Sequence, residues 1–183
     1  MNHSGTFTIN TPRLLLRRFE PQDLESMHRN WASVPSVQIE YGEPVYETIA
    51  EAKGLLDKYI SGYSSESFYR WAIIERESGV NIGQIAFCRV YEDIRTAEIE
   101  YCIGTAFQGK GYAGEALAAV IENVFKHTDF QKLEAYHRVE NAKSGRVLEK
   151  SAMHITDNVE RFRQEGLEAE GEVCYCIERS YLR

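Results

Sequence analysis

The sequence has few of the features that mark secreted, metal-binding or membrane-spanning proteins. It has four cysteines in 183 residues, and Cys88, Cys102, Cys174 and Cys176 form no Cys-x-x-Cys pair, so no disulfide framework is predicted. No apolar run approaches the roughly 18 residues that cross a bilayer. The first six residues show no positive cluster ahead of an apolar stretch, so no signal peptide is expected. These absences predict a cytoplasmic protein with no membrane partner.

Positive charge is also scarce. The chain has 21 Lys and Arg residues against 28 Asp and Glu residues, a net charge of −7. Nucleic-acid binding needs a basic face that displaces counterions from phosphates, so nucleic acid is not predicted as a partner. No metal-ligand spacing occurs among the five histidines, His3, His28, His127, His137 and His154. No metal ion is therefore predicted, whereas an acidic chain readily attracts cationic small molecules.

Proline occurs only four times, always within the first 44 residues, so no later helix or strand is interrupted by it. The chain has neither an internal repeat nor a linker rich in Pro, Gly or Ser. Its length is close to that of one domain of about 150 residues. We therefore predict a single domain over residues 1–183.

Hydrophobic periodicity predicts strands and helices that alternate along the chain. Strands are predicted over 13–19, 68–75, 82–90, 97–103, 132–137 and 172–182. Helices are predicted from Pro21 to Trp31 and over 48–59, 113–127 and 141–152. Short turns predict antiparallel neighbours in the middle of the chain, and the strand–helix–strand segment 97–137 predicts one central crossover. The fold class is thus α+β, with helices flanking a mixed, mostly antiparallel sheet.

The most informative segment lies between a predicted strand and a predicted helix. Glycines let the backbone approach a ligand and adopt positive φ. Free N–H groups at the start of a helix, together with the helix dipole, suit a pyrophosphate. The residues predicted to form this site are Gln108, Gly109, Lys110, Gly111, Tyr112, Ala113 and Gly114.

Two nucleotide-binding patterns overlap with this loop but do not fit their surroundings. Gly109-x-Gly111-x-x-Gly114 matches the dinucleotide fingerprint, and Glu134 lies where a ribose-binding acid would be. However, only 49 residues follow Glu134, too few for the rest of a doubly wound sheet. The preceding strand also carries two carboxylates, unlike a buried parallel strand. The segment 104–111 nearly matches the P-loop, but a glycine replaces the residue whose hydroxyl holds Mg²⁺.

A third pattern fits better, because Gln108-x-x-Gly111-x-Ala113 resembles the (Q/R)-x-x-G-x-(G/A) signature of the GNAT N-acetyltransferase superfamily. In that superfamily the loop holds the pyrophosphate of acetyl-coenzyme A. Three further stretches resemble the family in the expected order and spacing: 11–17, 97–104 and 140–150. Together the four stretches span residues 11–153. They point to the branch that includes the ribosomal-protein-alanine N-acetyltransferases, whose members also modify other amines.

The resemblance implies that the chain transfers an acetyl group from acetyl-CoA, its cosubstrate, to a primary amine by direct attack in a ternary complex. We expect the acceptor to be a peptide N-terminus or a small-molecule amine, and the protein to be a monomer or a homodimer. Splayed central strands are expected to form the acetyl-CoA cleft. In this family the backbone N–H groups of the central strand, here near Tyr101, Cys102 and Ile103, stabilise the oxyanion.

Two carboxylates alternate along the predicted central strand. Glu98 and Glu100 flank Ile99, so both point to one strand face. Because a protonated amine cannot attack a carbonyl, one of them is a candidate for the base that takes its proton. Glu98 matches the branch pattern, and Glu100 is either the alternative base or a selector of cationic substrates. A solvated strand face remains the structural alternative.

The last motif supplies Ser144 and Asn141. Superfamily members often carry a tyrosine as general acid seven residues after the asparagine, but Leu148 stands there in this chain. The branch pattern places Ser144 near the thioester, so Ser144 is predicted to protonate the leaving thiolate, unless it is only a residue of the first helical turn. Asn141 suits the pantetheine amides or an N-cap. The vacant tyrosine position leaves a second function open, a non-catalytic sensor that binds CoA or another phosphate-bearing ligand.

Overall fold

One mixed sheet of eight strands organises the residues that this computed structural model describes, 1–166 and 171–182. The strands are β1 (Ile9–Asn10), β2 (Leu14–Arg17), β3 (Arg70–Glu75), β4 (Asn81–Tyr91), β5 (Thr96–Ile103), β6 (Lys132–Arg138), β7 (His154–Ile155) and β8 (Glu172–Glu178). Their order in the sheet is β1-β2-β3-β4-β5-β6-β8-β7. All neighbours are antiparallel except β5 and β6. The predicted α+β fold is confirmed.

Within the described residues, six α-helices connect or flank the strands. They are α1 (Leu24–Met27), α2 (Pro35–Tyr41), α3 (Ile49–Gly62), α4 (Tyr112–His127), α5 (Ala142–Glu149) and α6 (Glu160–Glu165). A 3-10 turn precedes α1 and a π-helical turn over His28–Ala32 follows it. The helix predicted to start at Pro21 is therefore present as three helical pieces rather than one regular helix.

The short elements α2, α6, β1 and β7 are absent from the sequence prediction. Helix α2 has the usual boundary signals, because Pro35 opens it and Gly42 ends it with φ of 78°. The strand predicted over 172–182 is too long, since β8 ends at Glu178. Beyond it, Arg179 donates hydrogen bonds to the backbone carbonyls of Thr128 and Phe130. These bonds turn the chain away from the sheet and into a 3-10 turn.

Helical layers cover both faces of the sheet and bury two hydrophobic clusters. On one face α4 buries a stripe that includes Leu117, Val120 and Val124, and each such side chain contributes roughly 1.5–3 kcal/mol. On the other face Trp31 and Tyr59 belong to the cluster beneath α1, α2 and α3. The two layers place the loop before α4 and the helix α2 on opposite sides of β5.

The sheet opens at its centre, between β5 and β6. The two strands pair at three positions, the last of which joins Glu98 to Glu134. Strand β5 continues to Ile103, whereas β6 continues to Arg138 in contact with β8. The parallel crossover through α4 and the predicted splaying of the central strands are therefore confirmed. With one parallel pair among the described strands, the sheet differs from a doubly wound dinucleotide-binding sheet.

The pairing of β4 with β5 leaves no room for a side chain at Gly83, because an added Cβ would overlap the carbonyl oxygen of Cys102. We expect Gly83→Ala to lower the free energy of unfolding by about 1–3 kcal/mol, since the strands must shift to accommodate the methyl group. The matched control is Gly54→Ala in α3, which meets no atom within 4 Å and should gain about 1 kcal/mol from helix propensity. Urea unfolding measures both, and equal stability of wild type and Gly83→Ala would contradict the predicted overlap.

Candidate active site

A cleft of about 730 Å³ lies where β5 and β6 separate. Strand β5 contributes Tyr101, Cys102 and Ile103 to its wall. The loop before α4 lines one side, α5 lines another, and α2 closes the far end with Glu40 and Tyr41. The cleft thus contacts both helical layers through the opening in the sheet.

The glycine-rich loop presents the beginning of α4 to the cleft. Gly109 and Gly111 have φ of 76° and 83°, a left-handed conformation that favours glycine. Gly111 is the N-cap of α4, and Tyr112, Ala113 and Gly114 line the cleft with it. The first N–H groups of a helix have no intrahelical partners, so this end offers hydrogen-bond donors and positive potential to an anion.

Gln108 connects the loop to two other walls of the cleft. Its Nε2 donates to the carbonyl of Ile103, at 2.9 Å. Its Oε1 accepts a hydrogen bond from Lys143 of α5, at 3.0 Å. The predicted ligand-binding glutamine therefore also fixes the positions of β5, α5 and the loop relative to one another.

Arg13 holds the same loop from outside the cleft. Its Nη1 donates to the carbonyl of Lys110, at 2.8 Å, and its Nε lies 2.6 Å from the carboxylate of Glu115 in the first turn of α4. Burial raises the pKa of Glu115, but hydrogen bonds from Thr11 and Arg13 outweigh that effect and lower it. The side chain of Lys110 lies over the Phe107 ring, 5.3 Å from its centroid, and does not line the cleft.

Asn141 and Ser144 stand at the start of α5. Asn141 is the N-cap, and its Oδ1 accepts a hydrogen bond from the Ser144 N–H at 3.1 Å. Both residues line the cleft. The phenol hydroxyl of Tyr101 donates to the Ser144 carbonyl across a long 3.4 Å. Burial raises the pKa of Tyr101 to about 12, although a hydrogen bond with the Ser144 side chain lowers it.

Helix α5 and its C-cap also carry three cations that the sequence analysis did not identify as site residues. Lys143, Arg146 and Lys150 line the cleft beside Ser144. Their spacings of three and four residues place them on neighbouring positions of a helix surface, which is the signal that could have identified them. They add positive charge near the α4 N-terminus, which itself favours anions, on the same side of the cleft.

Glu98 is buried rather than exposed in the cleft. Its side chain is 2% exposed, and its carboxylate accepts hydrogen bonds from Arg89, at 3.2 Å, and from the Cys88 thiol, at 3.3 Å. Burial raises the pKa of Glu98, whereas the charge of Arg89 lowers it. The net pKa is raised, which makes this carboxylate a better proton acceptor near neutral pH than an exposed one.

Glu100 begins a hydrogen-bonded chain that reaches the cleft. Its carboxylate accepts from Arg70 Nη2 at 2.8 Å, and the Arg70 guanidinium lies 4.3 Å from the centroid of the Tyr59 ring. Arg70 also donates to the side-chain oxygen of Gln84. Gln84 Nε2 in turn donates to the Tyr41 hydroxyl, at 3.2 Å. Glu100 thus contacts the cleft through this chain rather than directly.

Two other properties of the site bear on its chemistry. Burial raises the pKa of Cys102 to about 12, so its thiol stays protonated and is a poor nucleophile at neutral pH. Over residues 1–166 and 171–182, no group of three or more His, Cys, Asp or Glu could hold a metal ion. In the same part of the chain, no helix has the length and apolar character needed to span a membrane.

Comparison with known proteins gives consistent matches over most of the chain. The family described as acetyltransferase (GNAT) domain matches residues 13–154. The uncharacterized N-acetyltransferase YnaD of Bacillus subtilis (strain 168) is 31% identical over 169 residues, which are 92% of this chain and 95% of YnaD.

Two solved structures with the same fold belong to acetyltransferases for different acceptors. The ribosomal-protein-S5-alanine acetyltransferase from Vibrio fischeri has a TM-score of 0.75 at 14% identity, covering 97% of this chain and 99% of that one. The spermidine N-acetyltransferase from Vibrio cholerae, in complex with CoA and spermine, has a TM-score of 0.74 at 22% identity, covering 94% and 100%.

Proposed function

Because this chain belongs to the GNAT family and is therefore an acetyl-CoA-dependent acetyltransferase, we propose that a primary amine attacks the thioester directly in a ternary complex. The observation that carries this proposal is the cleft through the open sheet. It has an anion-favouring helix start on one side and the Glu40 carboxylate at the α2 end. Such a passage lets a polyanionic donor and a cationic acceptor approach from opposite layers.

The residues present fit acetyl-CoA. Gly109 and Gly111 leave the backbone N–H groups at the α4 start accessible to a pyrophosphate. Lys143 and Arg146 of α5, with Lys150 at its C-cap, would hold its phosphates. Acetyl-CoA, when bound, supplies an acyl group activated as a thioester. The β5 backbone from Tyr101 to Ile103 would offer N–H donors to the negative charge that develops on the carbonyl oxygen.

The acidic end of the cleft favours a small cationic amine as acceptor. Glu40 lines this end. Burial and the charge of Glu100 raise the pKa of the nearby Glu43 carboxyl, and a bound cation would offset this repulsion between carboxylates. The spermidine N-acetyltransferase of Vibrio cholerae takes such an amine on the same fold. The ribosomal-protein acetyltransferase of Vibrio fischeri leaves a peptide N-terminus as the other acceptor to be tested.

A screen that measures release of free CoA thiol tests the proposal. We expect turnover with spermidine or spermine to exceed turnover with peptides that begin with alanine or serine. Added salt should raise KM for the polyamine, because it screens the attraction to the acidic end. Preference for a hydroxyl acceptor would contradict the proposal. Tight CoA binding without thiol release from any amine would instead support the sensor function.

Ser144→Ala should lower kcat about tenfold or more, because we propose that the Ser144 hydroxyl helps to protonate the departing thiolate. Its CoA affinity, measured by calorimetry, should stay close to that of wild type, since the cap contact uses the Ser144 backbone N–H and not its hydroxyl. A kcat within about twofold of wild type, roughly 0.4 kcal/mol, would show that water protonates the thiolate.

A further inference from the structure

The hydroxyl groups around the cleft differ in how firmly their protons are held. Tyr112 donates to the carboxylate of Glu75 at 2.6 Å, and Ser151 donates to a backbone carbonyl at 2.7 Å. Tyr41 lies on α2, at the acceptor end, where it accepts from Gln84. These hydroxyls are either engaged in short hydrogen bonds or placed on the far side of β5 from α5.

The hydroxyl of Tyr101 is held loosely and faces α5. Its hydrogen bond to the Ser144 carbonyl is 3.4 Å long, against about 2.7–2.8 Å for a strong O–H···O bond. The ring packs against the cluster beneath α4 and also lines the cleft. One helical turn after Ser144, Leu148 is fully buried in that cluster. Tyr101 of β5 therefore brings a phenol to the side of α5 on which the helix itself carries the alkyl side chain of Leu148.

We propose that Tyr101 is a catalytic residue whose hydroxyl donates a hydrogen bond to the thioester sulfur as the carbon–sulfur bond breaks. This inference rests on the proposed function. The hydroxyl of Ser144, which lines the same cleft, completes a pair of donors. In this step a carbon–nitrogen bond forms and the amine proton passes to a carboxylate base. The electron pair of the carbon–sulfur bond stays on sulfur, which then takes a proton from the Ser144 hydroxyl, and water restores the proton of Ser144.

The properties of the phenol suit hydrogen-bond donation better than full proton transfer. Since the pKa of Tyr101 is about 12, the hydroxyl stays protonated across the working pH range. Packing fixes the Tyr101 ring, and the long hydrogen bond leaves its hydroxyl proton able to turn toward the sulfur, so little reorganisation is needed when the bond breaks. A donor that strengthens only as charge appears raises kcat without tightening the binding of CoA.

Tyr101→Phe tests this role by removing only the hydroxyl. We expect kcat to fall at least tenfold, as it does in enzymes that lose a single oxyanion-hole donor. The affinity for CoA, measured by calorimetry, should stay within twofold of wild type. The matched control is Tyr69→Phe, which removes a buried hydroxyl that contacts Ser4 away from the cleft and should keep kcat. If the two hydroxyls act as a pair, the double variant Tyr101→Phe with Ser144→Ala should have a kcat close to that of the slower single variant. A fall in kcat equal to the two single fold-changes multiplied together would overturn the pairing.

A fluorinated tyrosine at position 101 keeps the shape of the side chain and lowers its phenol pKa. If the hydroxyl must stay protonated, kcat should acquire a falling alkaline limb that wild type lacks in the same pH range. An unchanged profile together with wild-type kcat in Tyr101→Phe would overturn the inference while wild type still acetylates amines. Absence of acetyl transfer by the wild-type protein would instead defeat the proposed function itself.

Discussion

Gly111→Asp should weaken the binding of CoA at least 100-fold, which corresponds to about 2.7 kcal/mol. Gly111 has φ of 83° and begins α4, so an aspartate there is strained. The aspartate carboxylate would also occupy the start of α4, where the helix dipole favours an anion. An added Cβ would already lie 3.4 Å from Arg13 Nη2. The pyrophosphate would therefore meet both a side chain and a like charge.

Two variants separate the charge from the strain. Gly111→Ala shares the unfavourable φ without the carboxylate and should lose less affinity than Gly111→Asp. Gly79, in the turn between β3 and β4, has a φ of 69° and open space around it. Gly79→Asp therefore introduces a similar backbone strain at a site distant from the cleft, and this variant should bind CoA normally. Calorimetry with CoA measures all three. Unchanged affinity in Gly111→Asp would refute the assignment of the pyrophosphate to this loop.

Glu98→Gln should lower kcat about 100-fold or more, if Glu98 is the base that receives the proton of the amine. Burial raises its pKa, and a base acts only when deprotonated, so wild-type activity should rise with pH through that raised value. Glutamine cannot accept the proton, and this acid limb should disappear. Because Glu98 does not line the cleft, the proton would reach it through a water molecule.

Glu100→Gln is the matched variant on the same strand face. It releases Arg70 from its ion pair and should raise KM for the amine more than it lowers kcat. Loss of activity confined to Glu100→Gln would transfer the role of base to Glu100. Retention of the full pH–rate profile by both variants would show that neither carboxylate is the base.

The sequence predicts the long elements and the loop well, because their signals are local. Helix α4 has a regular apolar stripe and a glycine N-cap, and the loop before it lines the cleft. Alternation predicts correctly that Glu98 and Glu100 share a strand face. It does not predict their depth, since Glu98 is buried by the bulge at Cys88 and by the pairing of β5 with β6.

The parts that the sequence did not predict depend on tertiary contacts. The side chain of Lys110 lies over Phe107, while Arg13 donates to the Lys110 carbonyl, a contact between residues 97 positions apart in the chain. The cations of α5 become a feature of the site only when α5 packs beside the opening in the sheet. Periodicity identifies a helix but does not identify the neighbour that it faces.

Among the strands of four or more residues, β5 and β6 are joined by the fewest residue pairs, because the sheet opens between them. Strands β1 to β5 form one hydrogen-bonded group, strands β6 to β8 form another, and three residue pairs join them. Sub-global opening is cheapest where the fewest bonds must break. A ligand that spans both groups stabilises the closed arrangement by mass action. Amide hydrogen exchange along the β5 edge from residue 99 to 103 would therefore report ligand occupancy even in a variant that has lost all catalysis.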